Sequence, residues 1–64
     1  MIDTGKVTHV RNDGDKTIVE ITFMGDVIKT VVLPNEDSHK YKNKYVICAM
    51  DSDNNTKILD IVDD

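Results

Sequence analysis

The 64-residue chain has one cysteine, one proline, three glycines, no tryptophan and three aromatic rings, Phe23, Tyr41 and Tyr45. Each scarcity excludes something. Cys48 has no second cysteine to pair with, so the disulfide framework of many small secreted domains is missing, and an unpaired thiol fits a reducing compartment. Met1 runs into Ile2-Asp3-Thr4-Gly5 with no basic stretch followed by an apolar core, so no signal peptide is expected. No apolar run approaches the roughly 20 residues that span a bilayer. The expectation is a soluble, cytoplasmic protein with no membrane partner.

Alanine is also scarce, with Ala49 alone, whereas fifteen residues are Val or Ile. Branched side chains suit a pleated strand and crowd a helix, which points to an all-β chain. At this length the chain forms one domain, residues 1–64, which buries only about 60% of the surface exposed when unfolded. Small folds offset that deficit with disulfides, a structural metal or a partner subunit. The first is excluded here and no metal motif is convincing, so a homodimer or another protein partner is the expected support.

Alternating segments separated by turn residues recur five times, as in a small barrel. The first is Lys6 to Arg11, closed by Asn12-Asp13-Gly14-Asp15, where glycine supplies the positive φ of a tight hairpin. Thr17 to Met24 follows, with Val19, Ile21 and Phe23 on one face and Ile18, Glu20 and Thr22 on the other. Gly25-Asp26 turns the chain into Val27 to Leu33, and Pro34 stops that strand because it cannot donate to a ladder. Residues 35–43 are polar, with room for one helical turn or none. Tyr45 to Met50 and Thr56 to Val62 complete the set around a turn at Asp51-Ser52-Asp53-Asn54-Asn55. Runs such as Val31-Val32-Leu33 and Tyr45-Val46-Ile47 are apolar on both faces, so the sheet is expected to curl rather than stay flat. The predicted fold is a small five-stranded barrel, OB-like or SH3-like, with a three-stranded meander followed by a hairpin.

The succession Gly5-Lys6-Val7, Ile18-Val19-Glu20-Ile21, Lys29-Thr30-Val31-Val32-Leu33, Lys44-Tyr45-Val46-Ile47 and Ile58-Leu59-Asp60 resembles the layout of the small hydrogenase-maturation chaperones. The resemblance spans most of the chain and implies an OB-like barrel. In that family the metal-handling role rests on a cysteine directly after the initiator methionine, and here that position is Ile2. The resemblance therefore carries the barrel and not the activity.

Charge is unevenly placed. Residues 1–50 hold seven acids and seven bases, so the net −4 comes from the remainder, where Asp51, Asp53, Asp60, Asp63 and Asp64 face only Lys57. Opposite in sign is the cluster Lys40-Tyr41-Lys42-Asn43-Lys44, followed by Tyr45. These segments suit solvated surface, and they also suit a polarised surface offered to a partner. The candidate partner-binding residues are thus Asp60, Asp63 and Asp64, with Lys40, Tyr41, Lys42, Lys44 and Tyr45.

Motifs for chemistry fall short. Asp51-x-Asp53-x-Asn55 opens like a calcium loop, but Thr56 replaces the turning glycine and Val62 the closing glutamate, which leaves an Asx-rich hairpin turn. Cys48, His9 and His39 are the only residues for a thiol–imidazole pair or a zinc site, and no Cys-x-x-Cys or His-x-x-x-His spacing brings two together. Cys48 fits a core position. No cofactor, metal or catalytic residue is assigned. Single-stranded nucleic acid would need stacking rings in a basic groove, and only the Tyr41–Tyr45 segment interleaves the two, against a negative overall balance.

The sequence therefore reads as a non-enzymatic protein-binding barrel. Size and acidity suit an inhibitor of a host defence enzyme carried by a phage or mobile element. The alternatives are a nucleic-acid-binding barrel and an accessory or chaperone subunit.

Overall fold

A computed structural model describes residues 1–34, 38–53 and 55–62. Five strands appear in chain order: β1 (Ile2–Asp13), β2 (Lys16–Phe23), β3 (Val27–Pro34), β4 (Tyr45–Met50) and β5 (Thr56–Val62), with one 3-10 turn at Ser38–Lys40. They form a single sheet in the order β3-β2-β1-β4-β5, and every ladder is antiparallel. The expected meander is β1-β2-β3, and the expected hairpin is β4-β5. The first four strands lie in Greek-key order, with β4 returning beside β1, which is the partly open OB-type arrangement and decides between the two barrels named above.

β1 is longer than its alternating pattern suggests. Its first part, Ile2 to Lys6, pairs with β4, and the part from Lys6 to Asp13 pairs with β2, so one strand serves both halves of the barrel. Asp3 and Gly5 are poor strand formers by themselves, and pairing with β4 overrides that preference. A register shift between Val7 and His9 leaves Thr8 as an extra residue. Before it Gly5 and Val7 face inward; after it Val10 does, so the bulge re-aims the strand as the sheet curls.

The interior is filled by Val7, Val19, Ile21, Phe23, Val31, Tyr41, Val46 and Cys48, with Leu33, Ile58 and Ile61 packed against them. β2 alternates as its sequence predicts, with Thr17, Val19, Ile21 and Phe23 buried. Turn chemistry matches too, since Gly14 has φ +63° and Gly25 φ +83°.

Curling covers only the inner face. Ile28 is 57% exposed, Val32 54%, Leu59 49% and Tyr45 44%. The two-sided apolar runs are therefore half wet, and the sequence argument that curling would shelter both faces is corrected: a barrel hides one face of each strand, and the other needs a second layer. The outermost strands β3 and β5 approach each other, but no hydrogen-bonded ladder joins them.

Candidate functional site

The chain treats the two ends of the barrel differently. Near the middle of β1, residues 38–44 fold over the core. Tyr41 N–H donates to Ser38 O at 3.3 Å, Lys44 N–H to Tyr41 O at 3.2 Å, and Val7 N–H to Lys44 O at 2.9 Å. Those bonds turn the Tyr41 ring inward, where it is 5% exposed.

At the start of β1 the barrel stays open. A cleft of about 510 Å³ lies there between the beginnings of β3 and β5. Its apolar lining comes from Phe23, Val27 and all three methionines of the chain, Met1, Met24 and Met50. Asp3, Lys29 and Thr56 also line it. Lys29 stands on the inward side of β3, in step with buried Val31 and half-buried Leu33, and is itself half-buried. An inward-facing lysine at a sheet edge discourages edge-to-edge association, and here it also lines the cleft.

The polar groups of the cleft differ in how well they are satisfied. Asp3 Oδ1 accepts the Thr4 N–H at 2.8 Å. Asp51 Oδ1, on the rim, accepts the N–H groups of Asp53 at 2.9 Å and Asn55 at 3.1 Å. The Asn55 amide, with that of Asp53 behind it, holds the Asp51 carboxyl below its usual range. This is the Asx turn that the sequence predicts, with its carboxylate turned onto its own loop. In contrast, Thr56 Oγ1 is buried without a hydrogen-bond partner, and Lys29 has no ion-pair partner among the described residues.

The residues singled out from the sequence are dispersed. Tyr41 belongs to the core, so its assignment as a surface contact is corrected: the backbone bonds of its loop roll the ring under the sheet. The Lys40 ammonium lies 5.5 Å from that ring. Lys42 is exposed and Lys44 half-buried. Tyr45 faces outward from β4, with the Lys6 ammonium 5.8 Å from its ring. The two tyrosines therefore do not form one stacking surface. Asp60 is exposed on β5, opposite Ile47, and shares the outer face of the β4-β5 hairpin with Tyr45; its Oδ1 accepts the Ile61 N–H at 2.8 Å. Asp63 and Asp64 lie outside the described residues.

Cys48 has no exposed surface. Burial, with the nearby Asp3 carboxylate as the lesser cause, pushes its thiol pKa up. His9 and His39 are both exposed, on β1 and in the 3-10 turn. Among the described residues no three His, Cys, Asp or Glu side chains are grouped to hold a metal ion, and no helix is long and apolar enough to cross a membrane.

The cleft was missed in the sequence, although one signal was there: Lys29 interrupts the apolar face Val27-x-Lys29-x-Val31-x-Leu33. Comparison with known proteins finds no matching family model, no similar curated protein and no similar solved structure.

Proposed function

We propose that this chain is a non-enzymatic protein-binding module that works in the cytoplasm as a homodimer and acts by docking onto a partner protein. The observation that supports this reading is the set of large apolar side chains left on the outer faces of β3, β4 and β5: Ile28, Val32, Tyr45 and Leu59. In a chain with 31% charged residues, large apolar side chains left exposed on several strands support a reading in which another protein covers them. Direct inhibition of an enzyme is the form of activity that suits a binder of this size. Recognition of single-stranded nucleic acid is less favoured, because the Tyr41 ring is turned inward and Tyr45 stands without a second ring beside it.

The test is capture from host extract by the tagged wild type and by Ile28→Glu and Val32→Glu variants, followed by reconstitution with the purified partner. A partner that binds the wild type and loses at least tenfold in affinity with either variant supports the reading. Equal binding by all three would place recognition elsewhere. A salt-sensitive shift of a labelled oligonucleotide, lost on replacing Lys40, Lys42 and Lys44 with Gln, would replace it with the nucleic-acid reading.

A further inference from the structure

β1, the middle strand of the sheet, overhangs one of its neighbours. It has 12 residues and β4 has 6, so the ladder to β4 stops at Lys6 while the ladder to β2 runs on to Asp13. The last bond on the β4 side goes from Val7 N–H to Lys44 O at 2.9 Å. Asp13 and Lys16 pair across the two-residue turn at Gly14 and Asp15, so Asp13, Arg11 and His9 direct their backbone groups to β2, and Val10 and Asn12 direct theirs the other way. Among the described residues no backbone hydrogen bond reaches Val10 or Asn12 from that side. Such a row of unpaired N–H and C=O groups is a template for one more strand.

A hollow of about 270 Å³ lies along this edge, lined by Val7, Thr8, His9, Val10, Lys42 and Asn43. Asn43, in the left-handed region at φ 59°, turns the chain ahead of β4 and leaves Lys42 beside β1. Lys42 and His9 are the titratable groups of the lining, both are exposed, and neither makes an ion pair. No carboxylate lines the hollow among the described residues. Glu20 stands opposite His9 on β2 without an ion pair to it, and the Asp13 carboxylate, at the far end of the strand, is engaged by Arg11 at 3.9 Å.

We infer that the open edge of β1 takes up an extended segment of a partner protein, lying in line with β4 beside Val10 and Asn12, with an acidic side chain on Lys42 and His9. Main-chain bonds along the edge supply affinity, and the hollow supplies the choice of side chain. Charge complementarity selects the occupant, because the lining offers donors and a positive charge and no acid. A second copy is a poorer fit, since pairing β1 with β1 would bring another Lys42 and His9 to the same seam. The inference rests on the protein-binding reading and names the chemistry of one contact within it. It uses neither the outer face of β3 nor the methionine-lined cleft.

The probe is acetyl-Thr-Val-Glu-Val-Thr-amide, titrated into protein labelled at its backbone nitrogens. Two relatives are run beside it, one with Lys in place of Glu and one with every amide nitrogen methylated. Saturable shifts are expected at Val10, Asn12 and Asn43, with slower hydrogen exchange at the Val10 and Asn12 amides. The Lys peptide should bind about tenfold more weakly, attraction having become repulsion, and the methylated peptide should not bind. The double variant His9→Gln, Lys42→Glu should keep its fold, because both side chains are exposed, and should bind the Lys peptide in preference to the Glu peptide.

Equal binding of the Glu and Lys peptides would overturn the inference. So would the absence of saturable shifts at millimolar peptide, binding that leaves hydrogen exchange at Val10 and Asn12 unchanged, or shifts at these amides with a labelled oligonucleotide in place of the Glu peptide. Partner capture that depends on Ile28 and Val32 while the peptides fail would remove this inference and leave the protein-binding reading intact. Peptide binding as expected, with no partner captured by the wild type, would do the reverse.

Discussion

Gly5 lies so close to Ile21 that a Cβ built on the glycine would come 2.6 Å from the isoleucine Cγ2, with the Phe23 ring at 2.8 Å. The three meet where β1 passes from pairing with β4 to pairing with β2, and the missing side chain lets β2 press directly on the β1 backbone. Gly5→Ala should therefore destabilise the fold by about 2 kcal/mol, the usual scale for forcing an extra group into a packed core. Denaturant unfolding of the two proteins measures it. An unchanged midpoint would mean that Ile21 and Phe23 move aside without cost.

Tyr41 closes the end of the barrel away from the cleft, and its removal should be felt as lost core. Tyr41→Ala is expected to cost about 3 kcal/mol, whereas Lys42→Gln on the same loop should be close to neutral. Thermal melts of the pair distinguish this from a contact role, in which Tyr41→Ala would leave stability alone and weaken partner binding.

The thiol of Cys48 is buried, and its pKa is raised from the ordinary 9.0 by burial first and by Asp3 second. At neutral pH it is protonated and shielded, so modification by a thiol reagent should follow unfolding rather than precede it. Cys48→Ala should cost about 1 kcal/mol or a little more through lost packing. The sign of the pH effect follows from the shift. The unfolded chain ionises first, so the stability that Cys48 contributes is fully present below pH 9.0 and declines as pH rises towards the folded value. The alanine variant should lack that alkaline decline, and rapid labelling of the folded wild type at neutral pH would contradict the assignment.

Much of the fold was legible in the sequence, because alternation and turn residues are local. Val19, Ile21 and Phe23 face inward as their spacing predicts, and Gly14 and Gly25 turn the chain where expected. What stayed hidden is set by partners distant in the chain. The β4 ladder holds Asp3 and Gly5 in a strand that their propensities would not choose, and the bulge at Thr8 shows only in the register of β1 against β2. Tyr41 was misplaced for a related reason: between lysines it reads as surface, and only the bond from Val7 to Lys44 shows the loop folding across the core. The cleft depends on all five strands and two turns at once, so no window of sequence contains it.

The outer faces bear on assembly. Ile28 and Val32 stand on β3, an outermost strand of the sheet, and Ile18 lies opposite Val32 on β2. Covering such side chains with the same surface of a second copy would remove apolar area from water and add to the stability of a domain whose length limits its core. The protein is expected to be a dimer at micromolar concentration, with a melting temperature that rises with protein concentration because association stabilises the folded state. Light scattering after gel filtration reads the mass directly. Val32→Glu would place like charges near one another in a pairing through this face, so that variant should run as a monomer near 7.2 kDa with its inward-facing core unchanged. A wild type that scatters as a monomer and melts at the same temperature at every concentration would exclude self-association. That outcome would leave a different protein as the candidate to cover Ile28 and Val32.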